Sequence, residues 1–123
     1  MRVLLVCLGN ICRSPVAEAA LRRALAVAGR DDVEVDSAGT AVWSAGEAPD
    51  VRMTAAARQF GLELRGAARQ VTAEDFAAAD LLLAMDRRNL ADLHRLAPDD
   101  AARARVRLYL DEAEVPDPFI GEA

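Results

Sequence analysis

Apolar residues along this chain follow two rhythms. Val3-Leu4-Leu5-Val6 is an unbroken apolar run of the kind carried by a strand buried on both faces, and similar runs recur near Val33, at Leu81 to Met85 and around Val106. They predict strands over residues 2–7, 33–37, 81–85 and 105–109. Between them the spacing becomes helical. Ala17, Leu21, Ala24, Leu25 and Ala28 trace a stripe up to Gly29, which can stop a helix. Helices are expected over 15–28, 50–60, 73–78 and 87–96, the second with an apolar face of Val51, Met53, Ala55, Ala57 and Phe60. Thr72 to Asp75 reads as a capping box, so its carboxylates are assigned to the helix end. Strands alternating with helices predict an α/β chain: a doubly wound, four-stranded parallel sheet with helices on both faces.

The segment Cys7-Leu8-Gly9-Asn10-Ile11-Cys12-Arg13-Ser14-Pro15 joins the first strand to the first helix. Open α/β sheets bind ligands at the carboxyl ends of their strands, and a helix opening there aims unpaired backbone N–H groups at the same spot. Gly9 permits a tight turn, Ser14 suits an N-cap, and Pro15 suits the first helical position, where no N–H is needed. The junction therefore predicts a phosphate-binding loop with a sulfur facing an anion site.

Phosphoryl transfer to sulfur requires a thiolate, a clamp for the equatorial oxygens and a proton for the departing oxygen. The loop N–H groups, the helix N-terminus and Arg13 would favour the negative form of Cys7. Arg13 offers a planar fork that matches two phosphate oxygens at once. Ser14 can donate its hydroxyl to the sulfur and make it a better leaving group. The proton donor belongs on another loop, and Asp117, fixed between Pro116 and Pro118, is the best candidate. The same carboxylate would then serve as base for the attacking water.

With these residues in view, nearly the whole chain resembles the low-molecular-weight protein tyrosine phosphatases. Cys7 to Pro15 is similar to that family's C-x-G-N-I-C-R-S-P signature, and Pro116-Asp117-Pro118 stands where its acid loop is expected. Asp36-Ser37-Ala38-Gly39-Thr40, Trp43, Ala68-Arg69-Gln70-Val71-Thr72, Asp75-Phe76 and Ala84-Met85-Asp86 resemble family segments in order. The resemblance implies Cys7 as nucleophile, Arg13 as clamp and Asp117 as acid and base, with Leu8, Gly9, Asn10, Ile11, Cys12 and Ser14 around the phosphate. It also implies that Asn10 holds the loop with Ser37 as partner, that Trp43 and Phe119 wall the aryl slot, and that Cys12 can form a reversible disulfide with Cys7.

Several positions depart from the pattern. Members commonly carry His just ahead of A-R-Q, where Gly66 stands near that place, and the two tyrosines usual after the Asp-Pro pair are Phe119 and Ile120. The usual C-terminal helix is expected to be lacking, which would uncover part of the sheet and favour self-association through an apolar patch, so the expected state is a monomer or a weakly self-associating chain.

At 123 residues the chain is expected to be one phosphatase domain over 1–123, with no repeat or low-complexity tract. All 15 basic residues are Arg, and a net charge of −5 argues against nucleic acid or an anionic membrane as partner. The expected partners are phosphotyrosine-containing proteins. Without a targeting or spanning segment, a cytoplasmic setting is the expectation. The 2 Cys and single His do not compose a usual zinc site, so neither metal nor cofactor is expected. His94 is expected to face solvent, and Asp86 to be an N-cap in preference to a site residue. Three rivals remain: an arsenate reductase, which would need a further relay cysteine; a protein arginine phosphatase, which usually has Thr where Ile11 stands; and a phosphopeptide-binding form, which would need neither Cys7 nor Asp117.

Overall fold

The computed structural model describes residues 1–10, 13–41, 46–64 and 66–109. Nine elements follow one another among these residues: β1 (Arg2–Cys7), α1 (Arg13–Val27), β2 (Glu34–Gly39), α2 (Val51–Gln59), α3 (Ala73–Ala78), β3 (Leu81–Ala84), α4 (Arg87–Leu96), α5 (Asp100–Arg103) and β4 (Val106–Leu108). All strand pairs are parallel, in the order β2-β1-β3-β4. β1 is therefore central, which is why its apolar run is unbroken.

The pleat divides the core in two. Leu4, Val6, Leu82, Ala84 and Val106 point to one face, where they pack with Phe76 of α3, Leu93 of α4 and Ala102 of α5. Val3, Leu5 and Val35 point to the other, against Ala17, Leu21 and Leu25 of α1. Helices thus cover both faces, as the alternation predicted. The expectation about a C-terminal helix falls on residues 110–123, outside the described residues. No helix among the described residues is long and apolar enough to cross a membrane.

α1 ends where Gly29 predicted. With φ at +71°, Gly29 lets its own N–H reach Ala26 O at 3.1 Å and the Arg30 N–H reach Leu25 O at 2.8 Å, closing the last turn. The start differs from expectation. The helix begins at Arg13, so Ser14 lies inside its first turn and is not the N-cap, because its hydroxyl is spent on Cys7 and Asn10. The predicted stripe is also narrower, since Ala24 and Ala28 are exposed.

The apolar face assigned to α2 is largely unburied: Val51 is 83% and Phe60 74% exposed, Ala55 is exposed, and Ala57 alone is in the core. Asp50 nevertheless caps this helix, accepting from Arg52 N and Met53 N at 3.1 Å. β2 runs two residues past its predicted end because Ala38 and Gly39 stay in register with Val6 and Cys7 of β1, and Gly39 also bridges to Gln70. His94 is half-buried in α4, more enclosed than expected.

Candidate active site

Cys7 closes β1 at the carboxyl edge of the sheet, between Gly39 of β2 and the β3 end at Ala84. The chain then turns through Leu8, Gly9 and Asn10. Asn10 adopts φ +59°, the left-handed conformation that only Asn and Asp among residues with a side chain visit readily. That turn brings the Asn10 N–H to 3.1 Å from Cys7 Sγ. Ser14 Oγ lies 3.0 Å from the same sulfur.

The direction of each bond follows from Asn10. Its Oδ1 accepts the Arg69 backbone N–H at 3.1 Å, so its amide nitrogen must face the other way. There Nδ2 donates to Ser14 Oγ at 2.8 Å and to Ser37 Oγ at 3.0 Å. Ser14, accepting from Asn10, has its single hydroxyl proton left for the sulfur. Ser37, accepting likewise, donates to Glu18 Oε1 at 2.5 Å. Glu18 is held in turn by Arg22 one turn along α1. Two donors thus converge on Cys7 Sγ, an arrangement that suits a thiolate.

The Arg13 side chain is 5% exposed and reaches Asp86 Oδ2 at 2.7 Å. Asp86 is the N-cap of α4, as expected, its Oδ1 accepting from Asn89 N at 2.7 Å. It also holds Arg13, so the choice between cap and site residue was a false one: the two oxygens do different work.

β2 and the strip at 68–71 brace the loop from outside. Thr40 N–H donates to Cys7 O and Ala41 N–H to Leu8 O, both at 3.0 Å. A Cβ on Gly39 would stand 2.6 Å from Leu8 O and 3.2 Å from Asn10 N, so only glycine admits this approach. Arg69 ties the strip down through Asp75, with both guanidinium nitrogens at 2.9 Å from its oxygens, and through Asp36 at 2.9 Å. Burial disfavours the Asp75 charge, but the hydrogen bonds from Arg69 and from the Thr72 N–H outweigh it and hold the carboxyl below its usual range. The capping carboxylate expected here therefore has a second duty.

The described residues bring together Cys7, Asn10, Arg13, Ser14 and Ser37, with Leu8 and Gly9 in the turn. Ile11, Cys12, Trp43, Asp117 and Phe119 lie outside the described residues. Glu18 and Arg69 were missed as loop supports. Glu18 left a signal, an acid one helical turn beyond Ser14 on the side of the helix that carries Ala17 and Leu21; the guanidinium of Arg69 left none, because Asp36 is 33 positions away and Asp75, six positions on, stands across a turn with no periodic spacing to link them.

A family model described as low molecular weight phosphotyrosine protein phosphatase matches residues 2–123. Among curated proteins, a low molecular weight protein-tyrosine-phosphatase of Streptomyces coelicolor is 43% identical over 98% of this chain and 79% of its own length. A low molecular weight phosphotyrosine protein phosphatase of Sus scrofa is 46% identical over 97% and 80% respectively. Among solved structures, a protein tyrosine phosphatase from Entamoeba histolytica superposes with a TM-score of 0.90 at 32% identity, covering 99% of this chain and 82% of that one. The Drosophila arginine phosphatase does so with a TM-score of 0.83 at 36% identity, covering 88% and 70%.

Proposed function

Because this chain belongs to the low molecular weight phosphotyrosine protein phosphatase family, we propose that it hydrolyses phosphotyrosine and other aryl phosphate monoesters through a phosphoenzyme formed on Cys7. The observation that carries the roles is the pair of donors on Cys7 Sγ, the Asn10 N–H at 3.1 Å and the Ser14 hydroxyl at 3.0 Å. They hold the sulfur in place for attack and hydrogen-bond it again as it departs as leaving group.

In the first step the Cys7 sulfur attacks phosphorus, the bond from phosphorus to the aryl oxygen breaks, and the phenolate takes a proton from Asp117. Arg13, oriented by Asp86, pairs with two equatorial oxygens as charge spreads over them. In the second step Asp117 removes a proton from water, the water oxygen attacks phosphorus, and the phosphorus–sulfur bond breaks to return the thiolate and release phosphate. Trp43 and Phe119 supply the aromatic walls for the substrate ring, and residues 1–123 act as one domain. Cys12, five positions on from the nucleophile in sequence, would serve as its partner in a reversible disulfide.

The substrates are proteins carrying phosphotyrosine, and the setting is the cytoplasm. A mechanism that runs through a reduced thiol supports a reducing compartment. The arginine phosphatase reading rests on the structural likeness to the Drosophila enzyme and is weakened by Ile11.

Assay without metal on aryl phosphates, with phosphoarginine and arsenate in parallel, tests the proposal. Cys7→Ser should abolish turnover and keep phosphate binding. Near wild-type turnover in that variant would overturn the assignment.

A further inference from the structure

Asn89 stands at the third position of α4 and is 1% exposed, yet neither end of its side-chain amide, Nδ2 or Oδ1, has a hydrogen-bond partner. Buried amides are almost always paired, because an unmade bond leaves the cost of stripping the group from water uncompensated. The backbone of the same residue is engaged, its N–H meeting Asp86 Oδ1 at 2.7 Å. The cap of α4 is thus one half of a capping box, with the return bond from the side chain unmade.

α3 shows that a side chain of this length can close such a box. There Asp75, also at the third position, brings Oδ2 to 2.7 Å from the Thr72 N–H nitrogen and 3.1 Å from the Thr72 hydroxyl oxygen. It reaches both the backbone and the side chain of its N-cap. In α4 the chemistry is exchanged: the N-cap Asp86 carries the charge, and the third residue is a neutral amide with donor and acceptor. From the equivalent rotamer Asn89 Oδ1 would accept the Asp86 N–H, and Nδ2 would donate to the Asp86 carboxylate.

That carboxylate is the group that holds Arg13, at 2.7 Å. A phosphate entering the loop shares the guanidinium charge and repels the carboxylate behind it. A further donor on Asp86 is worth most at that moment.

We propose that Asn89 is a positioning residue for Arg13: its amide, unpaired in the free loop, closes onto Asp86 when phosphate is bound and keeps the carboxylate aimed at the guanidinium. The proposal rests on the phosphatase reading above. The bonds it adds form only in the liganded state, so they strengthen oxyanion binding and not the fold.

Asn89→Leu replaces the amide by an apolar group of similar size. The urea midpoint of the free protein should equal or exceed that of the wild type, because the uncompensated amide is gone, while phosphate affinity and kcat/KM on an aryl phosphate fall about fivefold, within the range of one hydrogen bond. In an Asp86→Asn background the same substitution should cost nothing further, since the carboxylate through which Asn89 acts is absent. In the wild type the side-chain NH2 resonances of Asn89 should shift saturably as inorganic phosphate is added.

NH2 resonances that stay put at saturating phosphate overturn the proposal whatever the variants do. So does Asn89→Leu with wild-type kcat/KM and phosphate affinity, or a loss from Asn89→Leu that persists undiminished in Asp86→Asn. Stability lost in step with activity would make Asn89 a plain part of the fold and overturn it as well. Saturable movement of the NH2 pair in a protein with no aryl phosphatase activity would support the place of Asn89 behind the anion loop and overturn the proposed function instead.

Discussion

The carboxylate of Asp86 does two jobs: Oδ2 lies 2.7 Å from Nη1 of Arg13, 73 positions away in sequence, while Oδ1 accepts the Asn89 N–H that opens α4. The guanidinium proposed to meet the substrate phosphate is thereby registered against a helix end. Removing the charge and removing the cap are separable. Asp86→Asn keeps a capping oxygen and should be only mildly destabilised, yet kcat/KM should fall roughly tenfold, about 1.4 kcal/mol, as Arg13 loses its orienting charge. Asp86→Ala should lose about 1 kcal/mol more of stability through the cap. Urea unfolding and steady-state kinetics on both variants check this; wild-type kcat/KM in Asp86→Asn would show that Arg13 is held by something else.

Asn10 combines a left-handed backbone with three side-chain bonds. Asn10→Gly removes the bonds and keeps the conformation, whereas Asn10→Ala removes both. The Ala variant should be less stable than the Gly variant by about 1–2 kcal/mol. Both should lose turnover to a similar, large degree because Ser14 is no longer directed at the sulfur. Equal stability of the two would mean the backbone at Asn10 carries no strain.

Gly39→Ala is expected to damage catalysis from outside the loop. The new methyl would sit 2.6 Å from Leu8 O, a backbone atom that can yield only by shifting the turn that presents Cys7. Stability should drop by about 1–3 kcal/mol, the usual cost of overpacking. The readout is kcat with thermal unfolding: a variant as active as wild type would show that β2 does not brace the site.

The Asp75 carboxyl, disfavoured by burial but pulled down by Arg69 and the Thr72 N–H, gives an acid-side dependence. Its folded-state value lies below the unfolded value of about 3.9, so the folded state gains stability that is complete above that value and is lost as pH falls through the lower, folded one. Asp75→Asn should flatten the acid limb of the stability curve and leave the neutral-to-alkaline side unchanged in shape. Urea midpoints measured across acid pH decide it, and an unaltered slope in the variant would count against the assignment.

For Asp117, the dependence on leaving group is the discriminating measurement. Phenyl phosphate needs a proton at its departing oxygen, whereas a nitrophenolate leaves without one. Asp117→Asn should therefore cost far more on phenyl phosphate than on nitrophenyl phosphate. Equal losses on both would remove Asp117 from the role of acid.

Local chemistry was the legible part of this chain. β1, α3 and α4 stand where periodicity and caps put them, because the run from Val3 to Val6, the Thr72 turn and the cap at Asp86 are written in adjacent residues. α5 carried a local signal too, the Asp99 side chain on the Ala102 N–H at 2.8 Å, in a helix too short for periodicity to reveal. What escaped was set by distant partners. The extension of β2 depends on its register with β1, the second role of Asp86 on Arg13, and the duty of Arg69 on Asp36. On α2 the pattern misled because an apolar stripe does not guarantee a surface to bury it.

The branching of bonds from Asn10 also bears on how the protein breathes. Its side chain touches α1 through Ser14, β2 through Ser37 and the 68–71 strip through the Arg69 N–H. The catalytic turn cannot lift away alone, since any excursion must part three pieces of chain together. Amide hydrogen exchange at Asn10 should accordingly proceed through the same rare opening as the central strand, placing the reactive loop among the slowest regions of the molecule, where many enzymes have their fastest.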